Sequence, residues 1–323
     1  MTAIRQFIDQ HFEHFNASEL RAAARAYRAH IDAGGRMMVA LAGAMSTARI
    51  GRILAPAIRA GLVHGISCTG ANLEEDAFRL VGGSSYQAVP DWTTLSARQE
   101  RALYESGINR VTDTSIPDAV MVAVEEQLHA RWQAAATSGR TASPADFLLD
   151  ALADPALSAH FEEPQSSWLL AAGELGIPIW TPGWEDSSTG NAFSAAVMRG
   201  EIATHACVEA GTAQMNRLVR WYLERCDPAP GIGFVQVGGG IAGDFPICVV
   251  PLITKELQMD DTPPWGYFCQ ITDAERSYGG YSGAPPNEKI SWGKLTPDTP
   301  RFSIQSDATI VLPLLLAYVL GDD

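Results

Sequence analysis

Lysine is nearly missing from this 323-residue chain: Lys255, Lys289 and Lys294 are all there is, and every other basic side chain apart from histidine is arginine. Lysine and arginine together number 23 against 37 acidic residues, a net charge of −14. There is no basic run. A nucleic-acid binder needs a basic footprint, so that class is excluded. An acidic body attracts cationic ligands instead, such as amines or a basic protein. Long apolar runs are missing too. The longest, Ile310 to Leu320, has 11 residues with Pro313 inside it, too short to span a bilayer. The opening stretch MTAIRQFIDQHFEHF mixes charge with aromatics. It lacks the apolar core of a signal peptide, which points to the cytosol. The cysteines, Cys68, Cys207, Cys226, Cys248 and Cys269, are scattered singly, with no CxxC and no Cys/His cluster. Neither a disulfide framework nor a zinc site is expected, and reduced, mostly buried thiols are.

What is present is a globular composition, 46% hydrophobic and 19% charged, in a chain long enough to bury a large core. Residues 1–35 read as a helical arm, closed by Gly34-Gly35. An alternation follows. RMMVAL (36–41) reads as a buried strand, 48–60 as a helix, 63–67 as a strand, and a helix runs through Leu80. Further strands are expected at 178–180, 233–237, 267–271 and 303–305, and Asp307 is expected to cap a last helix. Short strands alternating with helices predict an α/β fold with a Rossmann-like parallel sheet and helices on both faces. No linker divides residues 36–323, so one α/β domain is expected after the arm.

In such a sheet, ligands bind at the C-terminal ends of the strands. The loops there are AGAMST, CTGANLEED, PGWEDSSTGN, ITDAERSYGGYSG and SDAT, rich in Gly, Ser, Thr and acids. Gly238 to Gly243 reads GGGIAG, a literal G-x-G-x-x-G after a predicted strand, which suits a pyrophosphate at a helix start. Pro246 and the lack of a clear acidic partner about 20 residues later leave a plain glycine turn equally open. Glu74, Glu75 and Asp76 suit ribose hydroxyls, or simply an acidic helix start.

The sharpest signal is Glu288-Lys289-Ile290-Ser291-Trp292-Gly293-Lys294. A lysine beside an indole, after a glycine-rich loop, can be desolvated into a nucleophilic amine that forms an imine. Its plain alternative is a surface lysine.

With these stretches the chain resembles the deoxyhypusine synthase family, from about Met37 to Leu320. The matches are TGANLEED (69–76), ESGINRVTD with Ile116-Pro117, IPIWTPGWEDSSTGN (177–191), VGGG (237–240), SGAPPNEKISWGK (282–294) and SDATIVLPLLLA (306–317). The resemblance implies an enzyme that binds NAD, takes a hydride from spermidine and passes the butyl fragment through a lysine imine to an acceptor amine. It places Lys294 on the covalent lysine, Trp292 on an aromatic wall and Glu288 on a carboxylate that contacts the amine. It places Thr69, Gly70, Glu74, Glu75, Asp186, Gly238, Gly239, Asp307 and Ala308 on the cofactor, with Ser46 and Thr47 near a serine-rich cofactor loop. It implies a homotetramer with sites at subunit interfaces.

Departures from the family pattern fall on the amine anchors. Asp244 stands for a histidine, Cys248 for an asparagine, and Asn191 and Tyr281 for aspartates; Tyr278 replaces a cofactor-site aspartate. Carboxylates lost from a site for a polycation change which amine fits. The expected activity is therefore an aminobutyl transfer that favours a small diamine acceptor, as in homospermidine formation. A protein lysine as acceptor, and a non-catalytic NAD-binding homologue, are the alternatives. Asn191, Asp244, Cys248 and Tyr281 are expected to share the pocket of Lys294.

Overall fold

The computed structural model describes residues 3–321. Its centre is a six-stranded, wholly parallel sheet. The strands are β1 (Arg36–Leu41), β2 (Gly65–Cys68), β6 (Ile179–Trp180), β7 (Ile232–Val237), β8 (Tyr267–Thr272) and β9 (Arg301–Gln305). A separate antiparallel sheet of three strands holds β3 (Gln87–Ala88), β4 (Ile108–Val111) and β5 (Thr114–Pro117).

The parallel sheet runs in the order β6-β2-β1-β7-β8-β9. Taken by their sequence rank within this sheet, that is third, second, first, fourth, fifth, sixth. The direction of winding therefore reverses between β1 and β7, the arrangement of dinucleotide-binding α/β proteins. Register ties Leu41 to Val237 across that junction. The strands read as continuous apolar runs because helices cover both faces: β7 and β8 are buried at every position.

Two cores result. One holds the N-terminal helices and the C-terminal helix Ala308–Leu320 with one sheet face. The other packs Trp180, Trp221, Phe234, Trp265 and Phe268 on the opposite face. The N-terminal segment forms two helices, Ala3–His11 and Phe15–Asp32. Their Ile8, Leu20 and Tyr27 are buried, and the Tyr27 hydroxyl donates to the Leu62 carbonyl at 2.8 Å. The antiparallel hairpin carries no clean alternation in its sequence: β4 and β5 have four residues each, and β5 buries two neighbours, Ser115 and Ile116. Four of the five cysteines are buried and Cys248 is half-buried, all as free thiols. Among the described residues, no helix is long and apolar enough to cross a membrane.

Candidate functional site

Two segments build the site. The first follows β7. Gly238, at φ +75°, turns the chain so closely past β1 that a Cβ there would stand 3.0 Å from that of Ala42. The helix Gly240–Ile247 then starts, with no side-chain cap, and continues through Val249–Pro251 into a π-helical turn at Leu252–Glu256. Asp244, Cys248, Leu252 and Lys255 recur at steps of four, four and three along this stretch, which sets them on one face.

The second segment is the loop and short helix from Tyr281 to Lys294. Two glutamines buried inside strands hold it down. The Tyr281 hydroxyl donates to Gln236 Oε1 at 2.8 Å, and Gln270 Nε2 donates to the Ser282 carbonyl. Ser282 occupies the space a side chain on Gly239 would need. Gly239 is thus a packing requirement of this loop. Glu288–Ser291 forms one helical turn, which Gly293 ends at φ +73°. The Gly293 N–H donates to Ile290 and the Lys294 N–H to Lys289, at 2.9 and 3.0 Å. This is a Schellman closure, which brings the side chains at its two ends, here Lys289 and Lys294, beside each other.

The two segments enclose a cavity of about 510 Å³, whose lining includes Asp244, Cys248, Tyr281, Glu288, Trp292 and Lys294. Lys289, Lys255 and Glu256 line it as well. All three lysines of the chain therefore border one cavity. Lys294 is 7% exposed. Its Nζ lies 3.4 Å from Asp244 Oδ1, 5.8 Å from the Trp292 ring centre and 5.9 Å from that of Tyr281. Lys255 lies over Trp292 too, at 5.9 Å. The Cys248 thiol lies 3.5 Å from Asp244 Oδ1. Burial raises that thiol above its ordinary value, against the pull of the nearby Lys294 ammonium. Burial also keeps the Tyr281 phenol neutral.

Asn191 is elsewhere. It lines a different cavity, of about 380 Å³, with Thr181, Trp184, His205 and Gln214. Its Nδ2 donates to the Ser187 carbonyl at 2.8 Å. Within one subunit it does not share the Lys294 cavity.

The acidic triplet is committed inside the subunit. Glu74 accepts from the Ser188 and Thr189 N–H groups at 3.0 and 2.8 Å and from the Thr189 hydroxyl at 2.9 Å. It anchors the start of Ser188–Met198, where the helix dipole favours a negative charge. Asp76 accepts from the Ser167 hydroxyl at 2.5 Å and from the Leu169 N–H at 3.1 Å; burial pushes it up to about 6. Glu75 accepts from the Tyr86 hydroxyl at 3.2 Å, and burial pushes it up to about 7.

The remaining cofactor candidates are dispersed along the strand ends. Thr69 caps the helix Gly70–Gly82 and donates to the Gly43 carbonyl at 2.8 Å. Gly70 packs against Ser187. The Ser46 hydroxyl donates to Asn72 O and accepts from the Trp168 indole, and Thr47 beside it is buried. Asp186 is exposed in the β6 loop. Asp307 caps the last helix at Ala308, as read from the sequence.

Sequence reasoning missed Lys289, Lys255, Gln236 and Gln270. The scarcity of lysine and the two glutamines inside apolar strands were the available signals.

The family model for deoxyhypusine synthase matches residues 9–319. A deoxyhypusine synthase-like protein of Thermosynechococcus vestitus is 30% identical, covering 99% of this chain and 79% of the relative. One from Cyanothece sp. is 28% identical over the same shares, 99% and 79%. A protein of Archaeoglobus fulgidus described as a probable deoxyhypusine synthase is 27% identical, covering 95% of this chain and 90% of its own. Among solved structures, one from Entamoeba histolytica described under the same family name superposes with a TM-score of 0.58. It covers 98% of this chain and 92% of that one at 11% identity, a likeness of fold.

Proposed function

This chain belongs to the deoxyhypusine synthase family, and from that premise we propose that it is an NAD-dependent transferase that moves an aminobutyl fragment from spermidine or a related amine, through Lys294, to an acceptor amine. The observation that carries the reading is the placement of Lys294: nearly buried, paired with Asp244, and walled by Trp292 and Tyr281 in a cavity sized for a small chain.

Fit to NAD rests on the reversal of strand order between β1 and β7. The tight turn at Gly238 leads there into an uncapped helix start at Gly240, whose N–H groups suit a pyrophosphate. Thr69 stands at the neighbouring β2 end. Bound there, NAD supplies an acceptor for the hydride removed from the amine and a donor for reducing the product. Lys294 holds the fragment between donor and acceptor. Its nitrogen displaces the departing amine at the fragment carbon, and the acceptor nitrogen displaces Lys294 in turn. Trp292 and Tyr281 give the methylene chain an apolar wall and the ammonium ends a π face. Asp244 and Glu288 supply negative charge for those ends.

The acceptor favoured here is a small diamine. Tyr281 stands where the family pattern has an aspartate and Asp244 where it has a histidine, so the anionic anchors are moved, and the two that remain, Asp244 and Glu288, lie within the one cavity. The proposed assembly is a homotetramer, the soluble compartment the cytosol, and the domain plan a single α/β unit behind the N-terminal helices. Incubation with NAD, spermidine and putrescine, followed by mass spectrometry of products and of borohydride-treated protein, tests the reading. A homospermidine-type product and an aminobutyl increment on Lys294 are expected. Absence of both rejects the reading, and transfer only to a protein lysine rejects the small-diamine version.

A further inference from the structure

Lys289 borders the same cavity as Lys294, but its surroundings differ. It is 3% exposed, and its Nζ has no hydrogen-bond partner among the described residues. That nitrogen rests between two aromatic rings, 4.7 Å from the centre of Tyr281 and 5.1 Å from that of Phe268. Lys294, by contrast, has the Asp244 carboxylate at 3.4 Å. A Schellman closure normally pairs two apolar side chains at these positions. Here it pairs two amines, and the inner one has no counterion. For stability alone that is a poor choice, since burying an unpaired ammonium is costly and an aliphatic side chain would pack as well.

We propose that Lys289 is a second nucleophilic amine of this cavity, able to form an imine with the aldehyde or iminium carbon of a short alkyl fragment and to exchange that fragment with Lys294. The exchange rests on the reading of Lys294 as carrier; imine formation at Lys289 does not. In imine formation the Lys289 nitrogen bonds to the carbonyl carbon and the carbonyl oxygen leaves as water. In the exchange, the Lys289 nitrogen bonds to the fragment carbon and the bond from that carbon to the Lys294 nitrogen breaks. With the imine protonated as an iminium before and after, one proton passes from the arriving to the departing nitrogen, and nothing is oxidised or reduced.

Two features favour the reaction. Burial first, and the Lys294 ammonium second, push the Lys289 amine down to about 8, while Glu288, Asp244 and Cys248 oppose this. Tyr281, packed on it, stays a neutral phenol. At pH 7 about a tenth of such an amine is unprotonated, against less than roughly a thousandth of an ordinary lysine. Access is also cheap. Only ring faces hold Nζ, so its flexible stem can turn the amine into the cavity without breaking a hydrogen bond.

The test uses the full chain, butanal and cyanoborohydride between pH 6.5 and 10. Fragment ions of the peptide that follows Glu288 separate Lys289 from Lys294, and the exposed Lys255 serves as the reference amine. At pH 7.5, Lys289 is expected to gain butyl groups at least about fivefold faster than Lys255. Its rate should be half-maximal near pH 8. Lys294→Met should keep the Lys289 adduct. An unmodified Lys289 in the wild-type protein, while Lys255 reacts, overturns the proposal whether or not the variant folds. A parallel incubation with NAD, spermidine and putrescine separates the two readings. Butylated Lys289 without any transfer product rejects the transferase and leaves this inference standing. Transfer with Lys289 inert does the reverse.

Discussion

The Lys294 ammonium lies 3.4 Å from Asp244 Oδ1, a pairing between residues 50 positions apart on the two segments that enclose the cavity. Asp244 is half-exposed and Lys294 nearly buried, so the pair sits at the cavity mouth with one partner in solvent. In the proposed reaction an incoming amine would meet the same carboxylate. On that reading Asp244 has two competing clients, the resident ammonium and the substrate's.

Lys294→Ala should leave NAD binding intact, because the glycine turn after β7 is built by other residues. Transfer should fall by about a thousandfold or more, as for loss of a covalent carrier. Lys294→Arg should fail equally, since a guanidinium stays protonated. Single-turnover transfer beside a cofactor-binding titration checks both. Wild-type transfer in Lys294→Ala sinks the mechanism.

Asp244→Asn keeps the shape of the side chain and removes its charge. Amine affinity should drop by about fivefold, the scale of a partly exposed charge pair, with NAD affinity unchanged. Measuring both dissociation constants decides. Equal losses would mean a general disturbance of the helix Gly240–Ile247 and would remove Asp244 from amine recognition.

Glu75 gives a pH signature in stability. Its folded proton affinity, about 7, exceeds its ordinary value of 4.5, chiefly through burial. The stabilising contribution is thus complete below the ordinary carboxylate range and is lost as pH rises through 7. Glu75→Gln keeps an acceptor for the Tyr86 hydroxyl and removes the buried charge. The variant should melt higher than wild type at pH 8, by an amount equivalent to roughly 2–3 kcal/mol, and the two should converge near pH 4.5. Melting curves across that range test it; a difference that does not vary with pH would refute the assignment.

Lys289→Met addresses the same physics with the opposite sign. The folded amine titrates at about 8 and an ordinary one at 10.5, so the unfolded chain binds more protons between those limits. Wild-type stability should rise with pH through that window relative to the variant. At pH 7, Lys289→Met should be the more stable protein by roughly 2–3 kcal/mol. Denaturant titrations of both proteins at pH 7 and 9.5 measure this. A destabilised variant at pH 7 would show that the ring contacts outweigh the cost of burying the charge.

Much was legible in the chain itself. The apolar runs at Arg36–Leu41 and Tyr267–Thr272 are buried on both faces, which makes them strands without alternation that no surface strand would carry. Asp307 before an apolar run announced a cap, since a short acceptor side chain satisfies the first free N–H groups of a helix. Lys294 and Trp292 stood out because lysine is rare and an indole neighbours it. Local residue chemistry fixes such features. Partner choice over long separations is another matter. Glu74 and Asn191 are each consistent from sequence with a ligand site, yet Glu74 spends its oxygens on a helix start 114 residues away. Asn191 lines another cavity, with its Nδ2 on the Ser187 carbonyl. Lys289 carried no sign of burial in the sequence. Only the Schellman closure and the ring faces of Tyr281 and Phe268, drawn from a loop and a strand that no short window joins, take it out of water. Burial, and with it the proton affinity of every candidate amine and acid here, is a property of what the fold stacks on a side chain, and for that the tertiary structure alone decides.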